Sequence, residues 1–311
     1  MQSPQLQFLP VNGPVSRDGT QRRIAYWDWP CQACDGASHV VIAVHGLTRQ
    51  SRDFDVLARA LTPRARVLAV DVAGRGDSDW LADPLHYQVP TYAADLAQLI
   101  GHVKAADPAV VIDWVGTSMG GLIGMAIAAQ PALAPRRLVL NDVGPVIEWT
   151  ALQRIASYVG HNMCFDDESA AVDYLARIST GFGPHSPAQW TALSRPMLRP
   201  LDGRWRLHYD PAIAVPFRAL ADAPDASVIQ AALRQGEAAL WATYDAIQCP
   251  TLLLRGAVSD LLSPDTAREM GQRGPRATCV EFDGVGHAPT LVERQQVDAV
   301  RQFLWADEGS S

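Results

Sequence analysis

Gly116-Thr117-Ser118-Met119-Gly120 reads G-x-S-x-G, and its surroundings decide the fold. The apolar, β-branched run Val110-Val111-Ile112-Asp113-Trp114-Val115 precedes it and predicts a buried strand. Gly121-Leu122-Ile123-Gly124-Met125-Ala126-Ile127-Ala128-Ala129 follows and predicts a helix packed on most sides. A strand, a sharp turn and a helix hold a serine hydroxyl above a sheet at a helix N-terminus, where developing negative charge is favoured. The glycines permit a turn in which a Cβ would clash.

Outward from Ser118, strands and helices alternate. Leu6 to Val11 and Arg23 to Trp29 are short strand candidates, separated by the turn signal Ser16-Arg17-Asp18-Gly19. His39 to Val44 predicts a buried strand, Ser51 to Leu61 a helix, Arg66 to Val70 a strand and Thr91 to His102 a helix. Arg137 to Leu140 is the next strand. The rhythm returns with strand Thr251 to Leu254, helix Pro264 to Met270 capped by Ser263, strand Ala277 to Phe282 and helix Pro289 to Trp305. This alternation implies a mostly parallel sheet with helices on both faces.

Between the two halves the rhythm breaks. The expected division is a core of residues 1–143 and 246–311, with a helical cap of residues 144–245 inserted between core strands. A stretch of about 100 residues is too long for a loop. It is rich in helix formers, interrupted by Gly181-Phe182-Gly183-Pro184 and Arg199-Pro200-Leu201-Asp202-Gly203. Its expected place is over the carboxyl edge of the sheet, where open α/β sheets bind ligands.

A serine hydroxyl near neutral pH needs a base, and the base needs an orienting acid. His287, in Gly284-Val285-Gly286-His287-Ala288-Pro289, follows the last strand and is the expected base. Asp260, in Leu254-Arg255-Gly256-Ala257-Val258-Ser259-Asp260, is the preferred acid. Asp142, just beyond the preceding strand, is its rival, and either choice gives the chain order Ser, Asp, His. The expected oxyanion donors are the backbone N–H groups of Met119 and of Leu47, the latter in the loop His45-Gly46-Leu47-Thr48 that His45 braces.

With these pieces assembled, the chain resembles the α/β-hydrolase superfamily over nearly its full length. The matching segments are His45-Gly46, Gly74-Arg75-Gly76-Asp77-Ser78, the Ser118 turn, the Asp260 loop and the Gly-His287 loop. Within it the chain is similar to capped serine esterases, enol-lactonases and meta-cleavage-product hydrolases. The resemblance implies an eight-stranded, mostly parallel sheet with a cap. It also implies Ser118 as nucleophile, His287 as base and Asp260 as acid. A serine rather than an aspartate in the turn argues against haloalkane dehalogenases and epoxide hydrolases. Gly74 to Ser78 reads as a structural turn.

The leading expectation is hydrolysis of small to medium acyl or aryl esters through an acyl-enzyme. Trp149, Phe182, Trp190, Met197 and Phe217 are candidate pocket walls. A second reading uses the same residues on a carbon–carbon bond or a lactone, with Arg49 and Arg52 available for a substrate carboxylate. A third is a ligand receptor on a hydrolase scaffold. No metal or organic cofactor is expected.

Composition bounds the alternatives. Hydrophobic residues at 48% and charged residues at 19% of 311 suit a soluble enzyme with a substantial core. A net charge of −7 with scattered Lys and Arg disfavours a nucleic-acid surface. No apolar run approaches a membrane span, and Met1 to Pro10 lacks signal-peptide character. Five cysteines, with Cys31 and Cys34 as an isolated C-x-x-C, favour reduced thiols and the cytoplasm over a disulfide framework or a zinc site. A homodimer is compatible with the sequence, without a residue that argues for it.

Overall fold

The computed structural model describes residues 3–33, 39–216, 218 and 226–306. Its strands are β1 (Gln5–Pro10), β2 (Arg23–Trp29), β3 (His39–Val44), β4 (Arg66–Asp71), β5 (Val111–Thr117) and β6 (Leu138–Asn141). Then come β7 (Cys164–Phe165), β8 (Leu198–Leu201), β9 (Arg204–Leu207), β10 (Thr251–Gly256) and β11 (Thr278–Phe282). Eight of them form one sheet in the order β1-β2-β4-β3-β5-β6-β10-β11. Strand β2 pairs antiparallel with β1 and β4, and every other pairing is parallel. This is the α/β-hydrolase arrangement.

Both faces of the sheet are covered, so its central strands are mainly apolar, although β5 carries the buried Asp113. Alternate residues still separate into two cores. Val40, Ile42 and Val44 of β3, with Leu68 and Val70 of β4, share one core with Leu96 and Leu99 of α2 (Val89–Ala106) and Ile123 and Ile127 of α3 (Met119–Ala128). Val41 and Ala43, with Val67 and Ala69, share the other with Leu57 and Leu61 of α1 (Asp55–Leu61). Side chains of a strand point alternately to its two faces, and here both faces lead into packed helices.

The residues between β6 and β10 include α4 (Trp149–Ala156), α5 (Glu168–Ile178), α6 (Pro187–Ser194) and α7 (Ala226–Asp245). Unlike the all-helical cap expected, this insert also holds an antiparallel sheet in the order β7-β9-β8. The physical reason is legible in retrospect. Asp202 and Gly203, at φ +53° and +75°, are the two turn residues between β8 and β9, and Asp-Gly is a strong hairpin signal. Pro200 fits because β8 is an edge strand.

After α8 (Pro264–Met270), the last helix, α9, spans Arg294–Leu304 rather than starting at Pro289. Leu291 takes φ +59° and its amide is held by the Gln296 side chain, which delays the helix. Cys31, expected as a free thiol, is disulfide-bonded, whereas Cys164, Cys249 and Cys279 are free. Cys34 lies outside the described residues. Among the described residues no helix is long and apolar enough to cross a membrane.

One contact seats the Ser118 turn on the sheet. A Cβ on Gly120 would stand 2.0 Å from the Val44 carbonyl oxygen, and one on Gly116 would stand 2.2 Å from the Gly120 oxygen. Both obstacles are backbone, so neither can move aside as a side chain would. The Trp114 indole donates to the Gly120 oxygen at 3.1 Å and closes the arrangement. Gly120→Ala is therefore expected to destabilise the fold by about 3 kcal/mol or more. Urea denaturation checks this, and a loss below about 1 kcal/mol would mean that α3 can shift without penalty.

Candidate active site

Ser118 sits at φ +52°, ψ −116° between β5 and α3, a conformation that non-glycine residues rarely adopt. Its amide donates to the Asn141 oxygen at 2.9 Å, and its carbonyl accepts from Gly121 and Leu122 at the start of α3. These bonds point the hydroxyl away from the sheet toward His287, whose Nε2 lies 2.9 Å from Ser118 Oγ.

The other imidazole nitrogen meets Asp142, not Asp260. His287 Nδ1 is 2.8 Å from Asp142 Oδ2. Asp142 is fully buried and is held by two further donors: the Gly256 amide to Oδ1 at 2.9 Å and the Ser259 hydroxyl to Oδ2 at 2.6 Å. Ser259 Oγ itself accepts from the Leu261 and Leu262 amides, which leaves its proton for Asp142. Acceptance by the carboxylate sets the tautomer: Nδ1 donates to Asp142, and Nε2 is free to accept from Ser118.

The expectation for Asp260 is thus corrected, and strand register is the reason. Strands β5 and β6 pair with Thr117 opposite Asn141, so the next residues, Ser118 and Asp142, leave the sheet side by side. Asp260 lies four residues past the end of β10, one strand farther out, beyond the turn Ala257 to Ser259. There both its oxygens are taken by Arg154 of α4, at 2.6 and 2.9 Å. Burial pushes the Asp260 carboxyl up, but the bonds and charge of Arg154 outweigh it and hold the group below the usual carboxylate range. Asp142 itself takes φ +55°, which Asp tolerates better than most residues.

Opposite Ser118 lies the loop after β3. The Leu47 and Met119 amides have no acceptor within the described residues, as an oxyanion site requires. Gly46 brings the loop close, since a Cβ there would stand 3.6 Å from the Ser118 Cβ. His45 is fully buried beneath the loop; its Nδ1 donates to the Gly46 oxygen at 2.7 Å and its Nε2 accepts from the Val72 amide at 3.0 Å. Arg75, a turn residue to the sequence, reaches the same loop. Its buried guanidinium donates to the Leu47 oxygen at 2.8 Å, to the Ala73 oxygen at 2.7 Å and to the Tyr92 hydroxyl at 2.8 Å. Arg75 therefore orients the peptide that follows the Leu47 amide, without lining the cavity.

A cavity of about 330 Å³ joins these groups, lined by Leu47, Ser118 and His287 and by the insert residues Ile155, Tyr158, Leu175, Ile178 and Tyr209. Of the expected wall residues, Phe182 and Met197 line it. Trp190 stands behind Phe182, with the rings stacked at 6.2 Å, and Trp149 is partly exposed at the start of α4. Phe217 lies outside the described residues. Arg49 lines the cavity but is committed to Asp53 and to the Leu193 oxygen, and Arg52 is paired with Asp55. The residues missing from the sequence reading are Ser259, Tyr158, Tyr209 and Arg154. No short motif marks them, because the insert and the β10 loop bring them to the site only through packing.

Residues 41–301 match the model of the alpha/beta hydrolase family, and the chain belongs to that family. It is 43% identical over 306 residues to the 3-hydroxybutyrate-oligomer hydrolase of Cupriavidus necator, covering 97% of this chain and 98% of that protein. It is 29% identical to the 2-(acetamidomethylene)succinate hydrolase of Mesorhizobium japonicum, over 86% of this chain and 89% of that one. The crystal structure of an alpha/beta hydrolase from Novosphingobium aromaticivorans superimposes with a TM-score of 0.78 at 32% identity, covering 98% of this chain and 99% of that one.

Burial, the largest cause, pushes the His45 imidazole down to about 3, because a charged ring there has no water and the Val72 amide already points at Nε2. The unfolded chain therefore binds a proton at His45 that the folded chain refuses between about pH 6.5 and 3, and stability falls as the pH drops through that window. Buried Asp71, pushed up to about 6, acts in the opposite sense between about pH 4 and 6, but equally with or without His45. Relative to His45→Gln, the native chain should lose about 2 kcal/mol of stability between pH 7 and pH 5. Parallel urea titrations at the two pH values test this, and an unchanged difference would remove His45 as the buried titrating group.

Proposed function

We propose that this chain is a serine hydrolase of carboxylic esters, with Ser118 as nucleophile, His287 as base and Asp142 as the acid that orients it. The observation that carries the reading is the continuous hydrogen-bonded line Ser118–His287–Asp142 at a cavity wall that also presents Leu47 and Ser118. Ser118 Oγ attacks the ester carbonyl carbon as His287 Nε2 takes its proton. The oxyanion is held by the Leu47 and Met119 amides. His287 then gives the proton to the leaving alcohol oxygen as the C–O bond breaks, leaving an acyl group on Ser118. Water repeats the sequence and releases the acid.

Residues 144–245 act in this reading as a cap that supplies the apolar roof and excludes water from the charged intermediate. The cavity is at the small end of ligand pockets, typically ~300–1,000 Å³, which supports small to medium esters. The relative at 43% identity acts on 3-hydroxybutyrate oligomers. Such oligomers are chains of hydroxy acid joined by ester bonds, so short oligoesters of this kind are the substrate class we assign.

Hydrolysis of 4-nitrophenyl butyrate and of the linear 3-hydroxybutyrate dimer tests the reading. Ser118→Ala should lower kcat by about 10³-fold or more, and Asp142→Asn by about 10³- to 10⁴-fold through loss of the correct imidazole tautomer. On 4-nitrophenyl butyrate, which carries no carboxylate, Asp260→Asn should stay within about tenfold of the native chain, because it alters a half-exposed ion pair rather than the His287 bond. Greater damage from Asp260→Asn than from Asp142→Asn would reassign the acid.

A further inference from the structure

Among the described residues two arginines line the cavity, Arg49 and Arg154, and they differ in what they have left to offer. The Arg49 side chain is 11% exposed, with Nε and Nη2 on Asp53 and Nη2 also on the Leu193 oxygen. Arg154 is 38% exposed, and Asp260 holds it side-on through Nε and Nη2. A guanidinium carries five N–H donors in one plane. Side-on pairing uses Nε–H and one Nη2–H; the other Nη2–H and one Nη1–H form the end-on edge, and the second Nη1–H points away from it. Asp260 thus fixes the plane of the group while leaving a second fork of the geometry that a carboxylate fits. Tyr158, which also lines the cavity, has its hydroxyl hydrogen-bonded to Arg154 and so shares the donors that Asp260 leaves.

The position relative to the chemistry matters. Asp260 immediately follows Ser259, which holds the Asp142 carboxylate, and Arg154 and Asp260 line the same cavity as Ser118 and His287. Arg154 therefore opens on the cavity that holds Ser118 rather than on a remote surface. A short hydroxy-acid oligoester has one permanent charge, the carboxylate at its acid end.

We propose that Arg154 is the specificity-determining residue that binds the free terminal carboxylate of a short oligoester, with Asp260 as the residue that positions it. This rests on the ester-hydrolase reading above and extends it to the end of the chain the enzyme takes. Free-acid oligomers are preferred over neutral, end-capped ones, and cleavage falls near the acid end. The carboxylate meets Arg154 end-on while Asp260 stays side-on, so the two anions lie on different edges of the cation.

The test is calorimetric binding to Ser118→Ala, which cannot form the acyl-enzyme. The ligands are the linear 3-hydroxybutyrate dimer and its terminal amide, which differ only in that charge. The acid should bind about 10- to 100-fold more tightly than the amide, the range of a charge-assisted pair. Adding Arg154→Gln should remove the preference, and Arg154→Lys should keep part of it. Adding Asp260→Asn instead, which keeps the cation but frees its orientation, should weaken the preference for the acid without abolishing it. Equal binding of the two ligands, no binding of either, or a preference that survives Arg154→Gln overturns the proposal. So does its loss in Asp260→Asn as well as in Arg154→Gln, which would mark the pair as a structural tie only. The ester reading fails separately, through absent turnover of 4-nitrophenyl butyrate by the native chain together with no labelling of Ser118 by a fluorophosphonate.

Discussion

The buried carboxylate of Asp142 is the group on which the arrangement of this site depends. A fully buried anion is costly unless it is surrounded by donors. Here the donors come from three places: the Gly256 amide at the end of β10, the Ser259 hydroxyl in the following loop and the His287 ring after β11. Satisfying one charge therefore draws together the ends of β6, β10 and β11, which are neighbours in the sheet. His287 reaches Ser118 because its other nitrogen is anchored in this way.

A second buried charge does comparable work on the opposite side of Ser118. Arg75 holds the Leu47 carbonyl, and His45 holds the Gly46 carbonyl from beneath. Both bonds are made to backbone, so the loop's amides are set by the scaffold before any ligand arrives. Preorganised donors of this kind stabilise developing charge without reorganising in the reaction. The insert is tied to the same loops. The Gly286 amide donates to the Gly181 oxygen at 2.7 Å, and Arg49 donates to the Leu193 oxygen at 2.9 Å. The roof of the cavity is thus registered on the parts that carry Ser118 and His287.

Much of the fold was legible because its signals are local. Buried parallel strands show as β-branched runs, as in Val110 to Val115 and His39 to Val44, and the chain between them has helical periodicity. The Ser118 turn and the His287 loop were legible because each follows a strand and carries glycines, on both sides of Ser118 and just before His287. The insert between β6 and β10 was legible as an interruption, but its small sheet was not, since β7 is only two residues long and pairs with β9 about forty residues away. The Asp202-Gly203 turn was the available signal for β8 and β9.

The choice between Asp142 and Asp260 marks the boundary. Each follows a core strand, each precedes His287, and local sequence treats them alike. What separates them is lateral: β6 lies beside β5, with Asn141 opposite Thr117, and α4 folds back to deliver Arg154 to Asp260. Strand order, register and the docking of an insert are set by contacts between residues far apart in the chain, and no window of sequence contains them. The sequence by itself determined a three-layer α/β core, a serine on a sharp turn and a histidine on the last loop. Only the tertiary structure decided which carboxylate the histidine meets and which arginine the cavity receives.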